Sequence, residues 1–142
     1  DDRRALGAAP KLIVMTLAAG VLVIGFDVRM LELLDAPMGG RWASIAITIL
    51  WLVAITNAMN FLDNMDGIAA GVGAVAGACF LATAILNAQW FVGASLAALI
   101  GALLGFLAFN RPKASIFIGD GGSLLVGFLL ASLPVRLPYR HA

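Results

Sequence analysis

No charged side chain occurs between Gly67 and Asn110, a stretch of 44 residues. As one helix it would run about 66 Å at 1.5 Å per residue, against a bilayer hydrocarbon core of roughly 30 Å, so it has to fold as two spans. The polar break Asn87-Ala88-Gln89 is the natural turn and predicts helices over residues 67–86 and 90–109. Residues 42–62 are equally free of charge and predict a third crossing, with the helix running on from the apolar stretch 42–56 into Asn57-Ala58-Met59. Two shorter apolar runs, 11–26 and 121–135, complete a set of five, and Lys11 at the head of the first can snorkel its ammonium to the interface. Between the first two spans, residues 27–34 open by alternating charged and apolar side chains, ahead of the turn-rich Asp35-Ala36-Pro37-Met38-Gly39-Gly40. That pattern predicts a short external strand or hairpin. The expected fold class is all-α, a polytopic transmembrane helix bundle of about five spans, forming one integral-membrane segment over residues 1–142.

Counting crossings assigns sides. Asp1 and Asp2 precede the first span, Asp63 and Asp66 follow the second, and Asp120 follows the fourth. Even separations put all three groups on one membrane face. Trp42 and Trp90 open the second and fourth spans at the opposite face, where interfacial aromatics are favoured, which supports the same parity. Arg3, Arg4, Lys11, Arg111 and Lys113 fall on the acidic side and Arg29, Arg41, Arg136 and Arg140 on the other, a thin majority for a cytoplasmic acidic face. Small residues four apart, Gly67/Gly71, Gly73/Gly77 and Gly101/Gly105, suit close helix packing.

Composition agrees with a membrane chain: 62% hydrophobic and 12% charged residues, against roughly 45–50% and about 25% in soluble domains. The net charge of +1, with basic residues scattered singly or in pairs, excludes a nucleic-acid footprint. Cys79 has no partner to bridge and reads as a small buried hydrophobe, and the solitary His141 reads as a solvated residue. The opening Asp1-Asp2-Arg3-Arg4 does not build a signal peptide and reads as part of a longer protein.

Five acids on one face with few basic partners in the same motifs would repel one another unless a cation offsets them. Mg²⁺ is the economical choice, because it takes oxygen ligands, keeps waters and is commonly completed by substrate phosphates. Polar residues three apart, Asn57, Asn60, Asp63 and Asp66, share one slowly drifting helical face. Asp66 is also placed to cap a helix starting at Gly67. In Ile118-Gly119-Asp120-Gly121-Gly122-Ser123 the glycines allow close backbone approach at a helix N-terminus, where exposed amides favour an anion.

The string Asn57-Ala58-Met59-Asn60-Phe61-Leu62-Asp63-Asn64-Met65-Asp66-Gly67-Ile68-Ala69-Ala70-Gly71 resembles the signature of the polyprenyl-phosphate N-acetylhexosamine-1-phosphate transferases. Asp1-Asp2-Arg3 with Lys11-Leu12 resembles that family's Asp-Asp motif and its following Lys-Leu, and residues 109–120 resemble its third cytoplasmic motif. Asn64 and Gly121 depart from the residues usual there without removing a carboxylate. The resemblance implies a bacterial inner-membrane enzyme with its site on the cytoplasmic face. It would transfer a sugar-1-phosphate, with GlcNAc as the expected sugar, from a UDP-sugar to a polyprenyl phosphate lipid and release UMP. Members are longer, so a fragment of this extent is expected to be inactive alone. The resemblance implies Mg²⁺, with Mn²⁺ able to substitute, held by Asp120 and Asn60. Asp1, Asp2 and Asp63 would be catalytic, the first two organising the lipid phosphate and metal. Asp63 would also help Asp66 position the nucleotide, and Asn57, Asn110 and Phe117 would complete the substrate site, the last two at uracil. A homodimer is compatible with the sequence. The rival readings are a cation transporter or channel with carboxylates along an ion path, which would place acids at several depths, and a structural membrane subunit.

Overall fold

The computed structural model describes residues 7–137. Five α-helices follow in order: α1 (Ala8–Gly20), α2 (Trp42–Leu62), α3 (Ile68–Leu86), α4 (Trp90–Leu107) and α5 (Gly119–Ser132). The 21, 19 and 18 residues of α2, α3 and α4 make them long and apolar enough to cross a membrane. The outer two are shorter. α1 is prolonged by one π-helical turn, Val21–Gly25, and α5, with 14 residues, leads into a 3-10 turn at Pro134–Arg136. Pro134 ends α5 because it lacks the N–H that the next helical bond needs.

The bundle is apolar outside and tightly seamed inside. Leu50, Val75 and Phe91 are exposed on the three helices long enough to cross, and Leu125 on α5, as expected where lipid is the solvent and packing relies on small residues. Antiparallel neighbours result from short links, residues 63–67 between α2 and α3 and 87–89 between α3 and α4. The broadest seams join α3 to α4 and α2 to α5, with α1 against α2. Gly127 makes the α2–α5 seam: a Cβ there would stand 2.8 Å from Thr56 Cα and 3.0 Å from Met59 Cβ. Gly73 and Gly77 seat Leu103 and Ile100 of α4 in the same manner. Gly71, Gly101 and Gly105 face open space, so of the expected small-residue pairs only Gly73/Gly77 is used as a pair within the chain.

The segment between α1 and α2 corrects the hairpin expectation: among the described residues there is no strand, and this segment is turns around a 3-10 turn at Glu32–Leu34. The physical reason is that its polar groups bond to side chains instead of to a second strand. Arg29, nearly buried, donates to Asp27 Oδ1 at 2.8 Å, Asp35 Oδ2 at 2.5 Å and Ser44 Oγ at 2.9 Å, and the Met30 N–H donates to Thr48 Oγ1 at 2.8 Å. Asp27 and Leu31 adopt left-handed backbone angles, φ 51° and 54°, which interrupt an extended run. Hydrogen bonding from Arg29, with Arg41 also alongside, holds the Asp27 carboxyl below the usual carboxylate range. This network and the exposed Trp42 and Trp90 lie at one end of the bundle; the opposite end carries the candidate chemistry.

Candidate functional site

The left-handed Gly119, φ 69°, starts α5 so that Asp120 lies in its first turn. Asp120 is not the cap of this helix; Ile118 occupies that position. Its carboxylate instead reaches across to two other helices. Oδ1 accepts from Asn60 Nδ2 of α2 at 2.9 Å, and Oδ2 is ion-paired with Lys11 of α1. Asn60 Nδ2 also lies 2.8 Å from the Oγ of Ser123, which is fully buried one turn further along α5. Residues 11, 60 and 120 thus converge from the ends of three helices, as the count of crossings requires.

A second knot joins the links between helices at the same end. Asn110, 4% exposed, accepts from the Gly67 N–H at 2.9 Å and donates to the Ile116 carbonyl at 2.8 Å. Gly67 is left-handed, φ 76°, and a Cβ on it would meet Asn110 O at 3.3 Å. Asp66 does not cap α3 but accepts from the Ala114 N–H at 3.2 Å, tying the same two links together. Both ends of the Asn110 amide are therefore engaged by backbone, and its first job is to set the 63–67 link against the 108–118 link. Asn110→Ala is expected to cost about 1–2 kcal/mol, since it removes the hydrogen bonds to the half-buried Gly67 N–H and to the Ile116 carbonyl. Asn110→Asp, which keeps the acceptor, should cost less; thermal denaturation in detergent checks both.

The other expected residues are less tightly gathered. Asn57 and Phe117 are exposed, Phe117 at 72%, and Asp63 is half-buried just beyond the end of α2. The shared face expected for 57, 60, 63 and 66 does not run through, because α2 stops at Leu62 and a turn follows. Asp1 and Asp2 lie outside the described residues. Sequence reasoning assigns no site role to Lys11 or Ser123, although Lys11 stands in the Lys-Leu that follows the Asp-Asp motif and Ser123 is a hydroxyl three residues after Asp120.

Among the described residues no three His, Cys, Asp or Glu side chains are grouped to hold a metal ion. Mg²⁺ does not need such a cage, since one or two carboxylates plus substrate phosphates commonly suffice. The Asp120 carboxylate and the Asn60 amide oxygen are hard donors of that kind, and Lys11 already shows that the position draws positive charge. The donor set fits the ion.

From this point an apolar groove of about 350 Å³ runs between α1 and α5, lined by Lys11, Met15, Asp120, Leu124 and Phe128, with Thr56 of α2 at its floor. A charged head and a greasy trough share one opening.

The sequence matches glycosyl transferase family 4 over residues 1–137. The chain belongs to that family. Among its relatives, the probable undecaprenyl-phosphate N-acetylglucosaminyl 1-phosphate transferase of Bacillus subtilis is 30% identical over 144 residues, covering 99% of this chain and 40% of the relative. The decaprenyl-phosphate N-acetylglucosaminephosphotransferase of Mycobacterium tuberculosis is 36% identical, covering 93% of this chain and 36% of the relative. The phospho-N-acetylmuramoyl-pentapeptide-transferase of Enterococcus hirae is 39% identical over 104 residues, 73% of this chain and 32% of its own. The chain therefore spans between 32% and 40% of the length of these curated relatives. No solved structure matches. The family-4 chain is a membrane protein with its charged site at one end; among the described residues no acid lies at the middle of a helix, the arrangement an ion path would need.

Proposed function

We propose that the complete gene product transfers a sugar-1-phosphate, GlcNAc-1-phosphate being the expected unit, from a UDP-sugar to undecaprenyl phosphate at the cytoplasmic face of a bacterial inner membrane. The single observation that carries this is the Lys11–Asp120–Asn60 cluster at the head of the apolar groove between α1 and α5. A polyprenyl phosphate has the matching shape, an anionic head on an apolar chain. Lys11 supplies a cation for the lipid phosphate, and Met15, Leu124 and Phe128 supply apolar surface for isoprene units.

In the reaction a phosphate oxygen of the lipid forms a bond to the β-phosphorus of the UDP-sugar while the bond from that phosphorus to the UMP oxygen breaks. A phosphate monoester has a second pKa near 6, so the attacking oxygen is mostly ionised at neutral pH and a strong base is not required. Positioning and charge neutralisation then carry most of the catalysis. Mg²⁺, held by Asp120 and Asn60, would neutralise charge on the pyrophosphate. Arg111 and Lys113, exposed on the 108–118 link at the same end, offer further cations to the nucleotide. Asp1 and Asp2 are assigned to the lipid phosphate, Asp63 and Asp66 to the nucleotide end, and Asn57, Asn110 and Phe117 to the rest of the substrate site.

Membranes containing the complete gene product, supplied with labelled UDP-GlcNAc and undecaprenyl phosphate, are expected to release UMP with Mg²⁺ and to stop in EDTA. Labelled lipid with no UMP, or turnover that ignores the chelator, would refute the reaction or its metal dependence respectively.

A further inference from the structure

Ser123 is fully buried and touches Asn60 across the α2–α5 seam. A serine hydroxyl has one proton to give. Here the helix takes it: Ser123 Oγ donates to the Gly119 carbonyl at 3.1 Å, with the Asp120 carbonyl at 3.2 Å as the alternative, the back-bonding typical of a serine inside a helix. Toward Asn60 the hydroxyl can therefore only accept, and Asn60 Nδ2 donates to it at 2.8 Å. The other amide hydrogen goes to Asp120 Oδ1 at 2.9 Å. With both donors spent inside the seam, Asn60 offers its carbonyl oxygen to anything that binds.

Amide oxygen and nitrogen are close in size, so packing alone does not decide which way the group faces. Asp120 favours the nitrogen through Oδ1, the oxygen that Lys11 leaves to Asn60, and a divalent cation drawn to that oxygen weakens the preference just when the Asn60 oxygen is needed. Ser123 is uncharged and tied to the backbone of α5, so its demand for the nitrogen is unchanged when a cation arrives. We infer that Ser123 is a positioning residue that locks the Asn60 amide with its oxygen outward, toward a divalent cation shared with Asp120. The cation rests on the transferase reading; the lock does not.

The test uses the complete gene product purified in detergent. Thermal midpoints of the wild type, Asn60→Ala, Ser123→Ala and the double variant are read in EDTA, and each midpoint is then titrated with Mg²⁺ alone. In EDTA the double variant is expected to fall no further than the lower single variant. In the titration, Ser123→Ala is expected to weaken the apparent Mg²⁺ Kd by about 10-fold or more, the range carried by groups that orient a metal ligand, with Ser123→Thr restoring it to within about twofold. Additive losses in EDTA overturn the lock. Coupled losses with an unchanged Mg²⁺ Kd overturn its role toward the cation. Coupled losses in a wild type that ignores Mg²⁺ keep the lock and bring down the cation together with the metal-dependent reading. Should Ser123→Ala fail to fold, Ser123→Cys, which keeps a side chain of similar shape but is a weak acceptor, is put through the same two measurements.

Discussion

Asp120→Asn is expected to lower Mg²⁺-dependent UMP release by roughly 10²–10³-fold or more, the scale on which single preorganised contacts to developing charge act. The substitution is nearly isosteric, so Asn60 and Ser123 keep their packing while the Lys11–Asp120 ion pair is lost and with it the carboxylate the site offers to a cation. Asp27→Asn, at an exposed carboxylate at the opposite end of the bundle, is expected to leave turnover unchanged. The pair separates loss of a site carboxylate from a general loss of surface charge. Turnover of Asp120→Asn within a few-fold of wild type, in protein that elutes as a folded species from a sizing column, would remove Asp120 from the chemistry.

The second large effect lies below the site. Gly127→Leu is expected to break the α2–α5 seam, because even the first carbon of the new side chain would stand 2.8 Å from Thr56 Cα and 3.0 Å from the Thr56 carbonyl oxygen. These are backbone atoms and cannot rotate out of the way. Overpacking a tight core costs typically about 1–3 kcal/mol, and a backbone obstacle places this substitution at the upper end. Opening the seam also draws Asn60 away from Asp120 and Ser123, so activity should fall with stability, although Gly127 touches none of the reacting groups. Gly101→Leu is the control: a Cβ there meets nothing within 4 Å. Its midpoint should hold or rise, since leucine is favoured over glycine in a helix by something under 1 kcal/mol. Equal losses from the two variants would show that helix composition, and not this crossing, is what matters.

Much of the architecture is legible in the spacing of charges along the chain. The 44 uncharged residues from Gly67 to Asn110 exceed one bilayer thickness, and that length alone requires two helices with a turn at Asn87-Ala88-Gln89, where the structure has it. Parity of crossings then puts Lys11, Asp66 and Asp120 at one end, and the contacts of Asp120 with Lys11 and Asn60, of Asp66 with Ala114 and of Asn110 with Gly67 join the elements of that end. The segment between α1 and α2 was misleading for a physical reason. Alternating side chains predict a strand only if a partner strand takes the backbone bonds, and here Thr48 and the Arg29 network engage the chain first.

Residue types and their spacing settle which side chains must leave lipid and at which end of the bundle they do so, because burial of charge in hydrocarbon is costly wherever it happens. They also mark Asp120 and Asn60 as candidates, since residue type and position are local facts. That Asp120 answers to Lys11, 109 positions away, that Asn110 is clamped by backbone, and that Ser123 faces Asn60 emerge only when the helices pack. Those pairings depend on how close and at what rotation α1, α2 and α5 meet. That is set by which glycines lie in the seam: Gly127 lies in it and Gly101 does not, a difference between two chemically identical residues that no local pattern records.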